Sequence, residues 1–206
     1  MSKAEIAAEA ERILDAAHEA GVPLRLMGGL AVYAHSEEIP EPLRRSYDDI
    51  DLATTKKAGR RTSELLVSLG YEPAKEFNAL QGDKRLLFHD PSNERKLDVF
   101  VESFVMCHTI PITGRLELDE RTIPLAELLL TKLQVVELTE KDVRDIATLL
   151  NEHDVGTADD DTVNGDFIAS LMAPVTETAK FASWISPPKV GIDNKPGDFE
   201  YVKIET

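Results

Sequence analysis

Tyr47-Asp48-Asp49-Ile50-Asp51-Leu52 is the segment of this 206-residue chain from which its architecture can be inferred. Acidic and apolar residues alternate in it, which predicts a strand over Ile50–Ala53 with Asp49 and Asp51 on one face. Two carboxylates this close repel each other, and burial would raise the pKa of one of them. A magnesium ion resolves that conflict, because it prefers carboxylate oxygens together with phosphates and water. For an isolated Asp-x-Asp, an acidic turn ahead of a strand is the better interpretation.

A second acid stands in an otherwise apolar segment, Lys96-Leu97-Asp98-Val99-Phe100-Val101. Strand alternation puts Asp98 on the face opposite Leu97 and Val99. A carboxylate there needs a metal, a cation or a hydrogen-bond donor, and alone it indicates a structural ion pair. Beside Asp49 and Asp51 it would complete a three-carboxylate site for two metal ions, which could clamp a displacement at phosphorus.

Further features would serve a triphosphate. Gly28 and Gly29 lie between a predicted strand, Leu24–Met27, and a predicted helix, Leu30–His35, where backbone amides can approach phosphate oxygens. A tight turn without a ligand is the plainer interpretation of two glycines.

Lys132 interrupts a largely apolar stripe on a predicted helix that begins near Pro124. It either extends to solvent or neutralises phosphates. Arg144-Asp145, on the following helix, would hold that lysine, contact the nucleotide or form a surface ion pair.

The order of the predicted elements is helix, mixed sheet, then helices, which indicates an α+β fold. We expect a catalytic core over residues 1–122, a helical region over 123–185 and an extended tail over 186–206. Capping boxes are predicted at Ser2 and at Thr139. Beyond the strands already named, short strands are predicted near Lys84–His89, Thr109–Ile112 and Arg115–Leu118.

The charge and composition of the chain limit the classes of partner that it is expected to bind. The formal net charge is −15, and residues 151–206 carry eleven acidic against four basic side chains, whereas residues 41–100 carry eleven of each. Such a chain gains little from releasing the counterions of a nucleic acid, so we expect no duplex DNA partner. Neither a membrane span nor a signal peptide is predicted, which favours the cytoplasm. Cys107, the only cysteine, is expected in the core.

Taken in order, Leu26-Met27-Gly28-Gly29-Leu30, Arg45-Ser46-Tyr47-Asp48-Asp49-Ile50-Asp51-Leu52 and Leu97-Asp98-Val99 resemble the polymerase-beta-type nucleotidyltransferase superfamily. The resemblance covers roughly residues 1–150. Arg45 to Leu52, with Lys132 and Arg144-Asp145, is similar to the AbiEii group of toxin-type enzymes. The Gly-Gly and Asp-Asp-Ile-Asp-Leu pairing equally resembles aminoglycoside and lincosamide nucleotidyltransferases.

This resemblance implies a nucleotidyltransferase fold with a small mixed sheet flanked by helices and a helical C-terminal region. It implies two magnesium ions on Asp49 and Asp51, with Asp98 as the third ligand or as base for the acceptor hydroxyl. The nucleoside triphosphate would be bound by the following residues: Gly28, Gly29, Arg45 or Ser46, Lys132 and Asp145.

The acceptor stays open among a small molecule such as an antibiotic, an RNA end and a protein side chain. The acidic C-terminal residues favour a compact or cationic acceptor, whereas the AbiEii resemblance favours RNA or a toxin target. The alternative function is a nucleotide-binding regulatory protein, or a toxin–antitoxin partner, without transfer activity.

Overall fold

The computed structural model of the chain describes residues 3–135 and 137–172. These residues confirm the predicted order of helix, mixed sheet and helices. The helices are α1 (Lys3–Glu19), α2 (Gly28–Ala34), α3 (Gly59–Ser68), α4 (Lys75–Gln81), α5 (Leu125–Leu133), α6 (Glu140–Glu152) and α7 (Gly165–Met172). The strands are β1 (Leu24–Met27), β2 (Asp49–Thr54), β3 (Glu72–Pro73), β4 (Arg85–Asp90), β5 (Arg95–Val101), β6 (Ser103–Val105), β7 (Thr109–Pro111), β8 (Val155–Gly156) and β9 (Val163–Asn164).

The five-stranded sheet has the order β1-β2-β5-β4-β3. β2 and β5 are parallel, and the other neighbouring pairs are antiparallel. The alternation read from the sequence is what the strands show, since Ile50 and Leu52 are buried in the core while Asp49, on the opposite face, is exposed. β2 therefore gives the face with Ile50 and Leu52 to the core and carries Asp49 and Asp51 on the other face.

The helices after the sheet fix the elements that will matter for the site. α5 and α6 pack against each other, and both contact α2. α6 begins at the predicted capping box, in which Thr139 and Asp142 exchange side-chain and backbone hydrogen bonds. Pro124, the predicted start of this helix, is the N-cap residue of α5. Lys132 near the end of α5 and Asp145 in α6 are thereby brought to the N-terminal end of α2.

Two expectations fail, and three others lie outside the described residues. Arg115–Leu118 is a turn and not a strand, because Arg115 is directed to acidic side chains of the C-terminal region while Leu116 is buried. Cys107 is exposed and not in the core. The capping box at Ser2, residues 173–185 of the predicted helical region and the tail over 186–206 lie outside the described residues. Within the described part of the chain, no helix is long and apolar enough to cross a membrane.

A buried ion pair joins the sheet region to the helices. The Glu127 side chain on α5 is fully enclosed and accepts hydrogen bonds from Arg115, whose guanidinium also lies 2.6 Å from an oxygen of Asp159. Burial raises the pKa of Glu127, and Arg115 opposes that rise. The same guanidinium stacks 3.7 Å above the ring of Phe167 on α7. Arg115 therefore secures α5, which carries Lys132.

We expect Arg115→Ala to lower the free energy of unfolding by about 3 kcal/mol, because it leaves a buried carboxylate without its cation. Urea unfolding followed by circular dichroism measures the loss. Arg121→Ala is the matched control: it removes more exposed ion pairs to Glu11 and Asp15 and should lose less than about 1 kcal/mol. Equal losses for the two variants would contradict the structural role of Arg115.

Candidate active site

Three carboxylates predicted from separate segments lie on one face of the sheet. The parallel register sets Asp51 of β2 directly opposite Asp98 of β5, so their backbones are one strand spacing apart, about 4.8 Å. Asp49 stands two residues before Asp51, at the exposed start of β2. Asp98 is buried. The sequence reasoning placed these acids together, and the register brings them to adjacent positions.

The repulsion within this group appears in the ionisation of Asp51. Burial raises the pKa of Asp51 to about 7, and the negative charges of Asp49 and Asp98 contribute to the rise. Lys132 and Arg85 oppose it. The site thus holds more negative charge than its own cations neutralise.

Asp98 has a partner that the sequence reasoning missed. Its Oδ1 accepts a hydrogen bond from Nε of Arg85 on β4, at 2.8 Å. The guanidinium also lies 5.1 Å from the ring centre of Phe100, the residue directly opposite Arg85 in the antiparallel pair. An arginine at the start of a strand beside an acid-bearing strand was the available signal, but its use depends on a register that the sequence does not fix.

The acids have the chemistry of a magnesium site. Carboxylate oxygens are the ligands that magnesium prefers, and the raised pKa of Asp51 reports charge that a divalent ion would neutralise. Among residues 3–135 and 137–172, however, no three His, Cys, Asp or Glu side chains stand in an arrangement ready to hold a metal ion. The pairing of Asp98 with Arg85 and the outward position of Asp49 are consistent with that result.

Gly28 and Gly29 make room for two side chains of the site. Gly28 has a φ of +67°, which side chains disfavour, and a Cβ there would collide with the carboxylate of Asp51. At Gly29 a Cβ would collide with the guanidinium of Arg45 and lie 3.2 Å from Cδ1 of Tyr47. Both glycines are therefore required by the packing of the site, whether or not a phosphate binds there.

Asp145 gathers two cations beside the acids. Its carboxylate is almost fully buried and accepts two hydrogen bonds from Arg45, at 2.6 and 2.7 Å. Nζ of Lys132 lies 2.8 Å from the same carboxylate and 3.7 Å from Asp142. Arg45 also stacks 4.3 Å from the ring centre of Tyr47. Asp145 thus holds Lys132, as one of the sequence interpretations proposed, and holds Arg45 as well.

The remaining predicted residues are placed less centrally. Ser46 is exposed, and its carbonyl oxygen accepts a hydrogen bond from Arg45 at 2.9 Å. Arg144, next to Asp145, points away from the cluster and pairs with Glu140 at 2.5 Å.

The loop from Ser36 to Asp48, which delivers Arg45, is attached to α6 along its length. Four hydrogen-bonded or ionic contacts join the two. They are Arg45 to Asp145, Lys141 to Asp48 (2.8 Å), Arg144 to the carbonyl oxygen of Arg44 (2.5 Å) and the Glu37 amide to Glu152 (2.9 Å).

A family of known proteins matches the part of the chain that carries the three acids. The family model for uncharacterised nucleotidyltransferases matches residues 1–109, a span that includes the three acids and ends before Lys132 and Asp145. No curated protein matches the chain.

Three solved structures are similar to the chain at low sequence identity, and the first of them shares its fold. The solution structure of the antibiotic-resistance factor ANT(2'')-Ia has a TM-score of 0.54 and 16% identity, and the match covers 84% of this chain and 97% of that one. The crystal structure of ANT(2")-Ia in complex with adenylyl-2"-tobramycin has a TM-score of 0.49 and 18% identity, over 70% and 87% of the two chains. An antigenic nucleotidyltransferase-like protein from Paracoccidioides brasiliensis has a TM-score of 0.42 and 15% identity, over 91% and 93%.

We expect Asp51→Asn to stabilise the metal-free protein at pH 8 by about 1 to 2 kcal/mol and to have less effect at pH 5.5. The pKa of Asp51 is raised from 3.8 to about 7, so the folded state of the wild type loses stability as the pH rises through that window. Asparagine removes this loss. Thermal unfolding in EDTA at the two pH values measures it.

Asp83→Asn, at an exposed turn, is the control and should change stability little at either pH. A large loss of stability in Asp51→Asn at pH 8 would mean that the charged carboxylate is part of a stabilising structural contact.

Proposed function

Because the chain belongs to the family of uncharacterised nucleotidyltransferases, we propose that it moves a nucleoside monophosphate from a nucleoside triphosphate to an acceptor hydroxyl and releases pyrophosphate. The observation that carries the proposal is the placement of Asp51 beside Asp98, with Asp49 two residues away on the same face. Carboxylates held together against their own repulsion are suited to charge that arrives with the substrate. This favours transfer over a purely regulatory nucleotide-binding role.

Magnesium ions, when bound, would supply Lewis acidity at the phosphate oxygens and at the attacking hydroxyl. Asp49 and Asp51 would hold them through carboxylate oxygens. Asp98 would serve either as a third ligand or as the base for the acceptor hydroxyl. Arg85 donates to Oδ1 of Asp98, so release of this hydrogen bond would make that oxygen available beside Oδ2.

Lys132 and Arg45 would contact the triphosphate. Both cations are held in position by Asp145, and Lys132 also lies 3.7 Å from Asp142, so their donors would be oriented before a phosphate binds. Asp145 itself would act as a positioning residue. Gly28, Gly29 and Ser46 would give the phosphates access to backbone groups at the same place.

The reaction needs one bond made and one broken. The acceptor oxygen bonds to the α-phosphorus while the bond from the α-phosphorus to the bridging oxygen breaks. Pyrophosphate leaves with that electron pair, and the hydroxyl proton passes to Asp98 where Asp98 acts as the base, or to solvent where Asp98 is a third metal ligand. The side chains of the chain act by orienting the reactants and by balancing charge, as in other phosphoryl transfers.

We propose a compact acceptor in preference to a long polyanion. The acidic C-terminal residues would repel extended nucleic acid, whereas residues 41–100 are neutral overall. An RNA end, as in toxin-type relatives of the resemblance, is the second candidate.

We expect Lys132→Ala to weaken binding of a nucleoside triphosphate with magnesium at least about tenfold, because a charge-assisted contact to phosphate is lost. Isothermal calorimetry measures it, with the melting temperature as a check on folding. Lys57→Ala removes an exposed lysine away from the site and should bind like the wild type. Unchanged affinity in Lys132→Ala would remove this residue from the binding site.

We expect transfer of label from an α-labelled nucleoside triphosphate to an acceptor in cell extract, with Asp51→Asn at least about 100-fold slower, because it removes a charge needed in the transition state. Separating RNA, protein and small molecules after incubation identifies the acceptor. Label on RNA, together with salt-sensitive binding of total tRNA, would contradict the compact acceptor. Equal transfer by wild type and Asp51→Asn would contradict the proposed mechanism.

A further inference from the structure

A cavity of about 530 Å³ adjoins the acids on the side away from the phosphate-binding cations. In the sheet, β5 with Asp98 stands between β2 and β4. Arg45, Lys132 and Asp145 gather on the β2 side, next to α2, whereas the cavity is formed between β4, β5, β6 and α4. A molecule in this cavity would therefore approach Asp98 from the side opposite the triphosphate cluster.

The cavity and the acids share residues. Arg85 lines the cavity and donates its hydrogen bond to Asp98 at 2.8 Å. Phe100 also lines it and follows Asp98 by two positions on the same face of β5. Two positions along a strand span about 7 Å. A ring lying against Phe100 can thus carry a hydroxyl that reaches the carboxylate of Asp98.

Much of the cavity wall is apolar and open to solvent. Phe77, Leu80, Phe100 and Val105 form it. Leu80 is 78% exposed and Val105 is 57% exposed, although both border a concave surface. Its volume lies in the range that holds a small organic molecule. An occupant with an apolar or aromatic body would remove this surface from water.

The charged groups in the wall are positive. Lys84 and Arg85 lie in it with Gln81 and Ser103, and no acidic residue is among its lining residues within the described part of the chain. Arg85 is partly neutralised by Asp98, but Lys84 forms no ion pair with residues 3–135 or 137–172. The cavity therefore suits an anion better than a cation.

We propose that this cavity binds the acceptor, and that the acceptor has an apolar or aromatic body, a hydroxyl and an anionic group. The inference rests on the proposed transfer of a nucleoside monophosphate and names the acceptor class for that same site. The anionic group would be held by Lys84 and would compete with Asp98 for Arg85. Asp98 is then released to take the hydroxyl proton as the oxygen bonds to the α-phosphorus and pyrophosphate leaves.

The net charge of the chain favours a cationic acceptor, but the carboxylates that could bind one line a different cavity. Glu37, Glu38, Glu152 and Asp161 line a second cavity with His35 and His153. That cavity lies at the C-terminal end of α2, about 10 Å along the helix from Gly28. It borders none of the three acids of the site.

The test compares two probes that differ in charge, para-hydroxyphenylpropionate and tyramine, by saturation-transfer NMR on the whole chain with magnesium and a nucleoside triphosphate. We expect the propionate to bind at millimolar concentration. Lys84→Glu should weaken its binding about fivefold or more, and Leu80→Ser about threefold. Two control variants should bind the propionate like the wild type. They are Lys75→Glu, at the start of α4 and outside the cavity, and Leu118→Ser, at a distant exposed turn.

Three outcomes would overturn the proposal. The first is no propionate binding, or propionate binding unaffected by both Lys84→Glu and Leu80→Ser. The second is tyramine binding that is as tight and equally sensitive to Leu80→Ser. The third is propionate binding at the cavity with no triphosphate binding and no transfer. This result would contradict the proposed function, and the acceptor role that rests on it would fail as well. Triphosphate binding and transfer without propionate binding sinks only the acceptor class.

Discussion

The parallel pairing of β2 with β5 sets the carboxylates of Asp51 and Asp98 side by side, where they repel each other. The charged groups around them reduce this repulsion. The pKa of Asp51 is raised, so this carboxylate binds a proton more readily. Asp98 forms an ion pair with Arg85. In the metal-free chain the excess charge is therefore divided between a proton and an arginine. An incoming metal ion could replace the proton on Asp51, and an incoming anion could replace Asp98 as the partner of Arg85.

A second charged cluster, in which two cations surround one buried carboxylate, lies beside the three acids. At Asp145 a single buried carboxylate is shared by Arg45 and Lys132. One part of the site thus carries excess negative charge, and the adjacent part holds two cations that are paired with acids. In the proposed function, magnesium would be held by the first part and the phosphates by the second.

Local patterns in the sequence were enough to predict which strand face each acid occupies, because alternation along β2 and β5 depends on each strand alone. What failed depends on packing. Arg85 could be paired with Asp98 only after the register of β4 was known. α4 was missed because it has only seven residues, with Phe77 and Leu80 as its large apolar side chains, which is too short for a helical repeat to be recognised. Arg115–Leu118 looked like a strand because Leu116 and Leu118 alternate with charged residues, although Leu118 is exposed.

The attachment of the Ser36–Asp48 loop to α6 has a consequence for the entropy of binding. A loop of this length, left free, would have to be ordered by the nucleotide, at a cost of about 1 to 2 kcal/mol for each residue fixed. Here helix contacts have already ordered it, so Arg45 waits in position. In the proposed function, part of the ordering cost of nucleotide binding would therefore be met during folding, through contacts with a helix that begins almost a hundred residues further along the chain.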